Sequence, residues 1–427
     1  LLFIICLCMA TAQPYYFRHF QVENGLSNST VFCTTQDKNG FLWFGTKAGL
    51  NRFDGYHFKL FTHTGSEGSM GSDMVYCLFS DHNGTLWSGG QNGLFRFDQE
   101  KEKLVRVIDS LVEINWIQTD DKGNLWFLCL NNVYRYNLTT RQLKHFPETK
   151  YFYATCICKT EKGGIWFCDN NGRIWRYNED TEDFTSFDMF SHSRTPTSRW
   201  MQRIHYAGNN LFLIATNDQG LKSFDATTGQ YKDILTYNPD GSTIYVRDIL
   251  QYSADEFWVA TESGIYIINT NTGKVTNIRK KFLDPYSLSD NAVYSLCKDS
   301  EGGVWAGTYF GGVNYYSKTI FEKCYPDNSS SSISGSAVRE ICQDPYNNIW
   351  IGTEDAGLNK LDSKTGFIRH FMPSGSPKDI AYTNIHGLLS TGNELWVGTF
   401  EHGLDVMDVR TGKVIRHYNA GPRPADL

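Results

Sequence analysis

The sequence has no excess of positive charge. Forty Lys and Arg stand against 46 Asp and Glu, a formal net charge of −6. With a pI near 6.0, no basic surface points to nucleic acid. Past the N-terminus, no apolar run approaches the roughly 20 residues that cross a bilayer. C-x-x-C pairs are missing, so neither a zinc site nor a disulfide framework is indicated. G-x-S-x-G, H-E-x-x-H, P-loop and G-x-G-x-x-G motifs are missing too, which leaves no catalytic residue, metal or cofactor to assign. Charged residues make up 20% and aromatics 15%, a balance that suits a packed, β-rich protein and argues against disorder.

The chain begins "LLFIICLCMATAQP". An apolar run from Leu1 to Met9 precedes Ala10-Thr11-Ala12, which reads as the back half of a secretory signal peptide cut before Gln13. No initiating Met or basic segment precedes it, so an incomplete N-terminus is expected. Cys6 and Cys8 would leave with the signal, and nine cysteines remain. Cys33, Cys77 and Cys156 lie ten residues before a tryptophan; Cys158, Cys297 and Cys342 lie eight before one. A two-residue offset keeps the same strand face, so these read as small buried hydrophobes.

What the chain does contain is repetition. "FLWFGTKAGLNRFDG" at Phe41 returns as "LWSGGQNGLFRFD", "IWIGTEDAGLNKLD", "LWVGTFEHGLDVMD" and weaker variants. The anchors are Trp43, Trp87, Trp126, Trp166, Phe212, Trp258, Trp305, Trp350 and Trp396, spaced 39 to 47 residues apart. A period of that size signals stacked units. Within the first unit, "TVFCTTQD" alternates as a strand, "KNG" turns, "FLWFGT" is a second strand, "KAG" turns at Gly49, and "LNRFD" and "HFKLFTH" follow as the third and fourth. Four short antiparallel strands with an aromatic anchor per repeat is the pattern of β-propeller blades. The anchors are then inter-blade core. The acidic turns "DKNG", "DHNG", "DKGN" and "EKGG" lack calcium-loop spacing and read as turn chemistry.

Nine repeats exceed the usual ring of four to eight blades. The segment "YFRHFQVENGLSNS" before the first unit looks like a fourth strand without a blade, closing the last blade of a ring. The expected organisation is an all-β protein: a signal remnant at 1–12, a seven-bladed propeller at 13–318, and the first two blades of a second, truncated propeller at 319–427.

The recurring G-[FTN]-[LI]-W-[FIV]-G-T-x-x-G-L-x-x-[FL]-D, preceded by "GLSNSTV", resembles the two-component regulator propeller repeat. Repeats three to six depart from its "GT…GL" core. The resemblance implies the periplasmic sensor region of a hybrid histidine kinase, with two seven-bladed propellers before a membrane span and a cytoplasmic kinase. It also implies an oligosaccharide ligand and, for the whole sensor, homodimerisation. The kinase parts and the membrane span are not in this sequence, so the chain itself is expected to be no enzyme.

Ligand residues are sought on the face of the longer loops. "SHSRTPTSRWMQR" offers Arg194, Arg199, Trp200 and Arg203; "TIYVRD" offers Tyr245, Arg247 and Asp248; "GTYFGG" offers Tyr309 and Phe310. Asp248 and Glu340 stand ten residues before their anchors, where four other repeats carry Cys or Ser, and Arg203 is the equivalent in the shorter fifth repeat. Since the first strand of a blade is innermost, these charges are expected at the central channel, binding ligand or pairing with one another. The readings carried forward are a non-catalytic carbohydrate sensor, a secreted propeller glycoside hydrolase or polysaccharide lyase, and a protein-binding scaffold. A kinase-coding region after Leu427 would separate the first from the second. Failure of every glycan to bind would favour the third.

Overall fold

The computed structural model describes residues 15–66, 68–147, 150–190, 198–282, 284–318, 323–326, 332–419 and 421. The expected signal segment, with Cys6 and Cys8, and Arg194 lie outside the described residues. The described residues form two compact units, 15–318 and the described part of 319–427. Among the described residues there are nine four-stranded antiparallel sheets.

Seven sheets belong to the first unit. Blades I to VI are consecutive: 31–61, 75–106, 114–146, 154–188, 201–235 and 246–278. Blade VII takes Val293–Lys298, Val304–Thr308 and Val313–Tyr316 from one end of the unit, and Phe17–Phe20 from the other. Phe17 pairs with Tyr316 and Phe20 with Val313, antiparallel. The first strands of the seven sheets touch in a closed cycle, the seventh meeting the first, so the unit is a seven-bladed propeller. The second unit contains blades VIII and IX, 338–371 and 385–418.

The core is a series of seams between blades. The second strand of blade I, Leu42–Thr46, is buried along its whole length. Successive side chains point to opposite faces, so Trp43 packs with Val75, Leu86 and Phe97 of blade II, while Phe44 packs with Trp305 of blade VII. Gly45 follows because Val75 leans on this strand: a Cβ there would sit 2.6 Å from a Val75 methyl. Thr46 Oγ1 donates to the Gly49 carbonyl at 2.9 Å, and Gly49 takes a φ of +110°, the left-handed region that glycine adopts without penalty. The "GTxxG" of the repeat is thus one inter-blade contact followed by one turn.

Eight of the nine anchors are buried. The ninth, Trp396, is half-buried; its outer face stacks on Tyr418, and its indole N–H has no partner among the described residues. The acidic turns serve the anchors. Asp37, Asp81, Asp120, Asp299 and Asp344 each accept the indole N–H of the tryptophan six residues later, at 2.7–3.0 Å. The other oxygen of each carboxylate accepts a backbone N–H of the turn, as at Gly303 (2.7 Å). Burying an indole N–H unpaired costs about 1–3 kcal/mol, which gives these carboxylates a structural job. Among the described residues no group of three His, Cys, Asp or Glu side chains could hold a metal ion.

Candidate functional site

One face of the seven-bladed unit is built from three repeating positions. Each first strand is preceded by a residue whose carbonyl accepts the N–H of the residue just after the second strand. The pairs are Thr30 and Lys47, Met74 and Gln91, Glu113 and Leu130, Tyr153 and Asn170, Trp200 and Asn217, Tyr245 and Glu262, and Ala292 and Tyr309. The third position is a β-bulge at the second residue of every first strand: Phe32, Tyr76, Asn115, Thr155, Gln202, Arg247 and Tyr294. A bulge leaves one residue out of the ladder and re-aims its side chain. Seven bulges in register place seven re-aimed side chains around one rim.

At blades VI and VII these positions meet. Arg247 Nε donates to Glu262 Oε1 at 2.7 Å. The guanidinium lies 4.6 Å over the Tyr294 ring and 5.5 Å from that of Tyr245. Tyr294 and Tyr309 have ring centroids 5.1 Å apart, and Phe310 meets Tyr309 edge-on at 4.5 Å. Phe310 is 74% exposed, an aromatic face offered to solvent. Burial pushes the Tyr294 hydroxyl above its ordinary pKa, so the phenol stays protonated and able to donate. Aromatic surfaces beside a guanidinium and a carboxylate suit a ligand with apolar faces and many hydroxyls.

At blades IV and V, Trp200 meets Tyr153 edge-on at 5.9 Å and its indole N–H donates to Gln202 at 3.2 Å. Arg199 lies over Phe190 at 5.9 Å. Thr155 Oγ1, Asn170 Oδ1, Asn217 Oδ1 and Asp218 Oδ1 are buried without a partner among the described residues. Partnerless buried polar atoms are uncommon in native proteins, and these four fall on one rim.

From this rim a cavity of about 420 Å³ runs inward between the first strands. Its wall carries the residue after six of the seven bulges: Cys33, Cys77, Trp116, Arg203, Asp248 and Ser295. Arg203 and Asp248 form an ion pair at 2.9 Å, and the Arg203 guanidinium lies 4.0 Å over the Trp116 ring. Asp248 also accepts the N–H groups of Ile249 and Leu296. Burial pushes the Cys33 thiol up to about 12 and Cys77 well above its ordinary value, so both line the wall as neutral thiols.

Of the residues singled out in the sequence, Tyr245, Arg247, Tyr309 and Phe310 come together, and Arg199 and Trp200 lie on the same rim. Arg203 and Asp248 meet in the channel. Glu340 belongs to the second unit, opposite Gly352. Phe32, Tyr76, Tyr153, Gln202, Glu262 and Tyr294 went unread. The signal was available, since six of the seven bulges stand eleven residues before their anchor.

Fold and rim together define a repeat-built β-propeller with one rim of bulged, re-aimed side chains. The family described as "Two component regulator propeller" matches residues 25–48, 287–310 and 332–355. A histidine kinase, P4, of Formosa agariphila is 42% identical over 59 residues, 14% of this chain and 4% of the kinase. The extracellular domain of a putative hybrid two component system from B. thetaiotaomicron aligns with a TM-score of 0.67 at 22% identity, covering 95% of this chain and 60% of that one. A second such domain from that organism aligns at 0.63 and 20%, covering 96% and 54%. This chain therefore spans less than two thirds of each relative, and the two solved domains share its fold.

Proposed function

We propose that this chain is the ligand-sensing propeller of an exported hybrid two-component sensor. It takes an oligosaccharide on the bulge rim without cleaving it, and passes the signal to a histidine kinase elsewhere in the full protein. One observation carries this reading: three equivalent positions per blade converge on one face, and in blades IV to VII they are mostly aromatic or planar polar side chains. Tyrosine and tryptophan give broad amphipathic contact, while amides, guanidinium and carboxylate give directional hydrogen bonds. The relatives support the sensor part, being kinases or extracellular domains of such systems.

The test is a thermal-shift screen of the 427-residue chain against plant and host oligosaccharides, with reducing-sugar release followed in the same wells. A cognate glycan at a hundredfold excess over Kd stabilises by about 2.7 kcal/mol, and no new reducing ends form. Arg247→Ala and Tyr309→Ala each remove most of the shift while leaving the unliganded melting curve nearly in place. Product formation would turn the assignment to an enzyme.

A further inference from the structure

Arg203 is a cation of the channel wall that its surroundings use only in part. Its Nε is bound to Asp248 Oδ1 at 2.9 Å, and its plane is held against Trp116. Its two Nη nitrogens have no hydrogen-bond partner among the described residues. Asp248 is engaged on both oxygens: Oδ1 takes Arg203 Nε and the Ile249 N–H (2.8 Å), and Oδ2 takes the Leu296 N–H (2.9 Å). The other cation of the wall, Lys159, is engaged by Asp121 at 2.7 Å. The channel thus contains a fixed guanidinium that lines the 420 Å³ cavity and has two Nη groups unbound among the described residues.

We propose that this edge is an end-on subsite for a carboxylate, and that the channel admits the terminal uronic acid of an acidic saccharide. A planar carboxylate matches the guanidinium fork with two parallel hydrogen bonds. Arginine serves two carboxylates from separate edges, so Asp248 acts as a positioning residue that aims the fork. Stacking on Trp116 and anchoring at Nε fix the fork before ligand arrives, which removes ordering cost from binding. The proposal rests on the saccharide reading above and narrows its ligand class.

The experiment uses the full chain with glucuronate, galacturonate and their di- and trisaccharides, set against the neutral and the sulfated sugars of the same ring configuration. Binding is read by melting shift and by Trp fluorescence. Uronates are expected to bind at least about tenfold tighter than their neutral counterparts, a difference of about 1.4 kcal/mol. Because Arg203→Gln alone leaves the Asp248 charge without its counter-charge, it is accompanied by the double variant Arg203→Gln/Asp248→Asn, which keeps the shape and removes both charges. Both are expected to abolish the uronate preference, with folding verified by circular dichroism. Equal binding of neutral sugars, insensitive to both variants, would overturn the subsite and leave the sensor reading standing. Tighter binding of sulfated sugars would overturn the carboxylate assignment. Absence of any saccharide binding would overturn both readings.

Discussion

At the scale of single residues, burial decides what each polar group does. His205 shows it most directly. Its ring is half-buried beside the channel, edge-on to Phe257, with Nε2 3.3 Å from Gln251 Oε1. Burial holds its pKa below the ordinary 6.5, against the opposing pull of Gln251 and Asp248 and with a further push from Arg203. A histidine with a lowered folded pKa binds its proton more readily when unfolded. The unfolded state then holds more protons over the window from 6.5 downward, and stability rises with pH there. Its contribution is complete above pH 6.5 and is lost as pH falls from 6.5 towards the lowered folded value. The expected outcome is a melting temperature that drops between pH 7.5 and 5, with part of the drop absent in His205→Gln. Identical pH profiles for the two proteins would refute this role. None of it was legible from "RIHYAG", because a histidine's environment is made by strands distant in sequence. The same holds for the five aspartates clamped to anchors. Asp-x-x-Gly marks the turn at four of the five, Asp344 being followed by Asn347 instead, but the indole bond needs the chain to fold back six residues.

Single elements were the most legible level. Period-2 alternation, glycine turns and one aromatic per repeat located the strands, since these local signals all agree with the final packing. The bulges were not read. One residue out of register is invisible in an alternating pattern until both strands are seen. The element with the largest leverage is the strand Phe17–Phe20, which reaches blade VII from the other end of the unit. Phe17 and Phe20 are both buried, on opposite faces of that strand. Phe17 packs with Trp258 and Leu296 in the seam with blade VI. Phe20 stacks on Trp305 at 5.6 Å and joins the seam with blade I. Each substitution to Ala is expected to cost about 3–5 kcal/mol. Because the two side chains serve different seams, the costs are expected to add to within about 0.5 kcal/mol in urea unfolding. Together they approach the whole stability of an ordinary domain. A double variant no worse than either single would mean that the strand is dispensable to the ring.

At the scale of the whole molecule, seven seams make a circle while the remaining two blades share one. Trp350 of blade VIII packs with Ile385, Leu395 and Val397 of blade IX, but Ile341 and Leu389 are each 63% exposed. Trp396, which would serve a further seam, keeps its indole N–H unpaired among the described residues. In a ring every strand face is answered by the next blade, and repeats in such arrays are stabilised mainly by their neighbours. The closed unit therefore carries its stability internally. Residues 15–318 expressed alone are expected to unfold in one cooperative transition, at the same temperature as the main transition of the 427-residue chain. They are also expected to remain in solution at concentrations where the longer chain associates, because exposed apolar patches such as those of blades VIII and IX drive association. Differential scanning calorimetry with size-exclusion chromatography checks both. A main transition lowered by more than a few degrees in the shorter protein would mean that blades VIII and IX support the ring. If instead the transition is kept and the rim residues Arg247 and Tyr309 still govern the glycan-induced shift, recognition belongs to the seven blades alone.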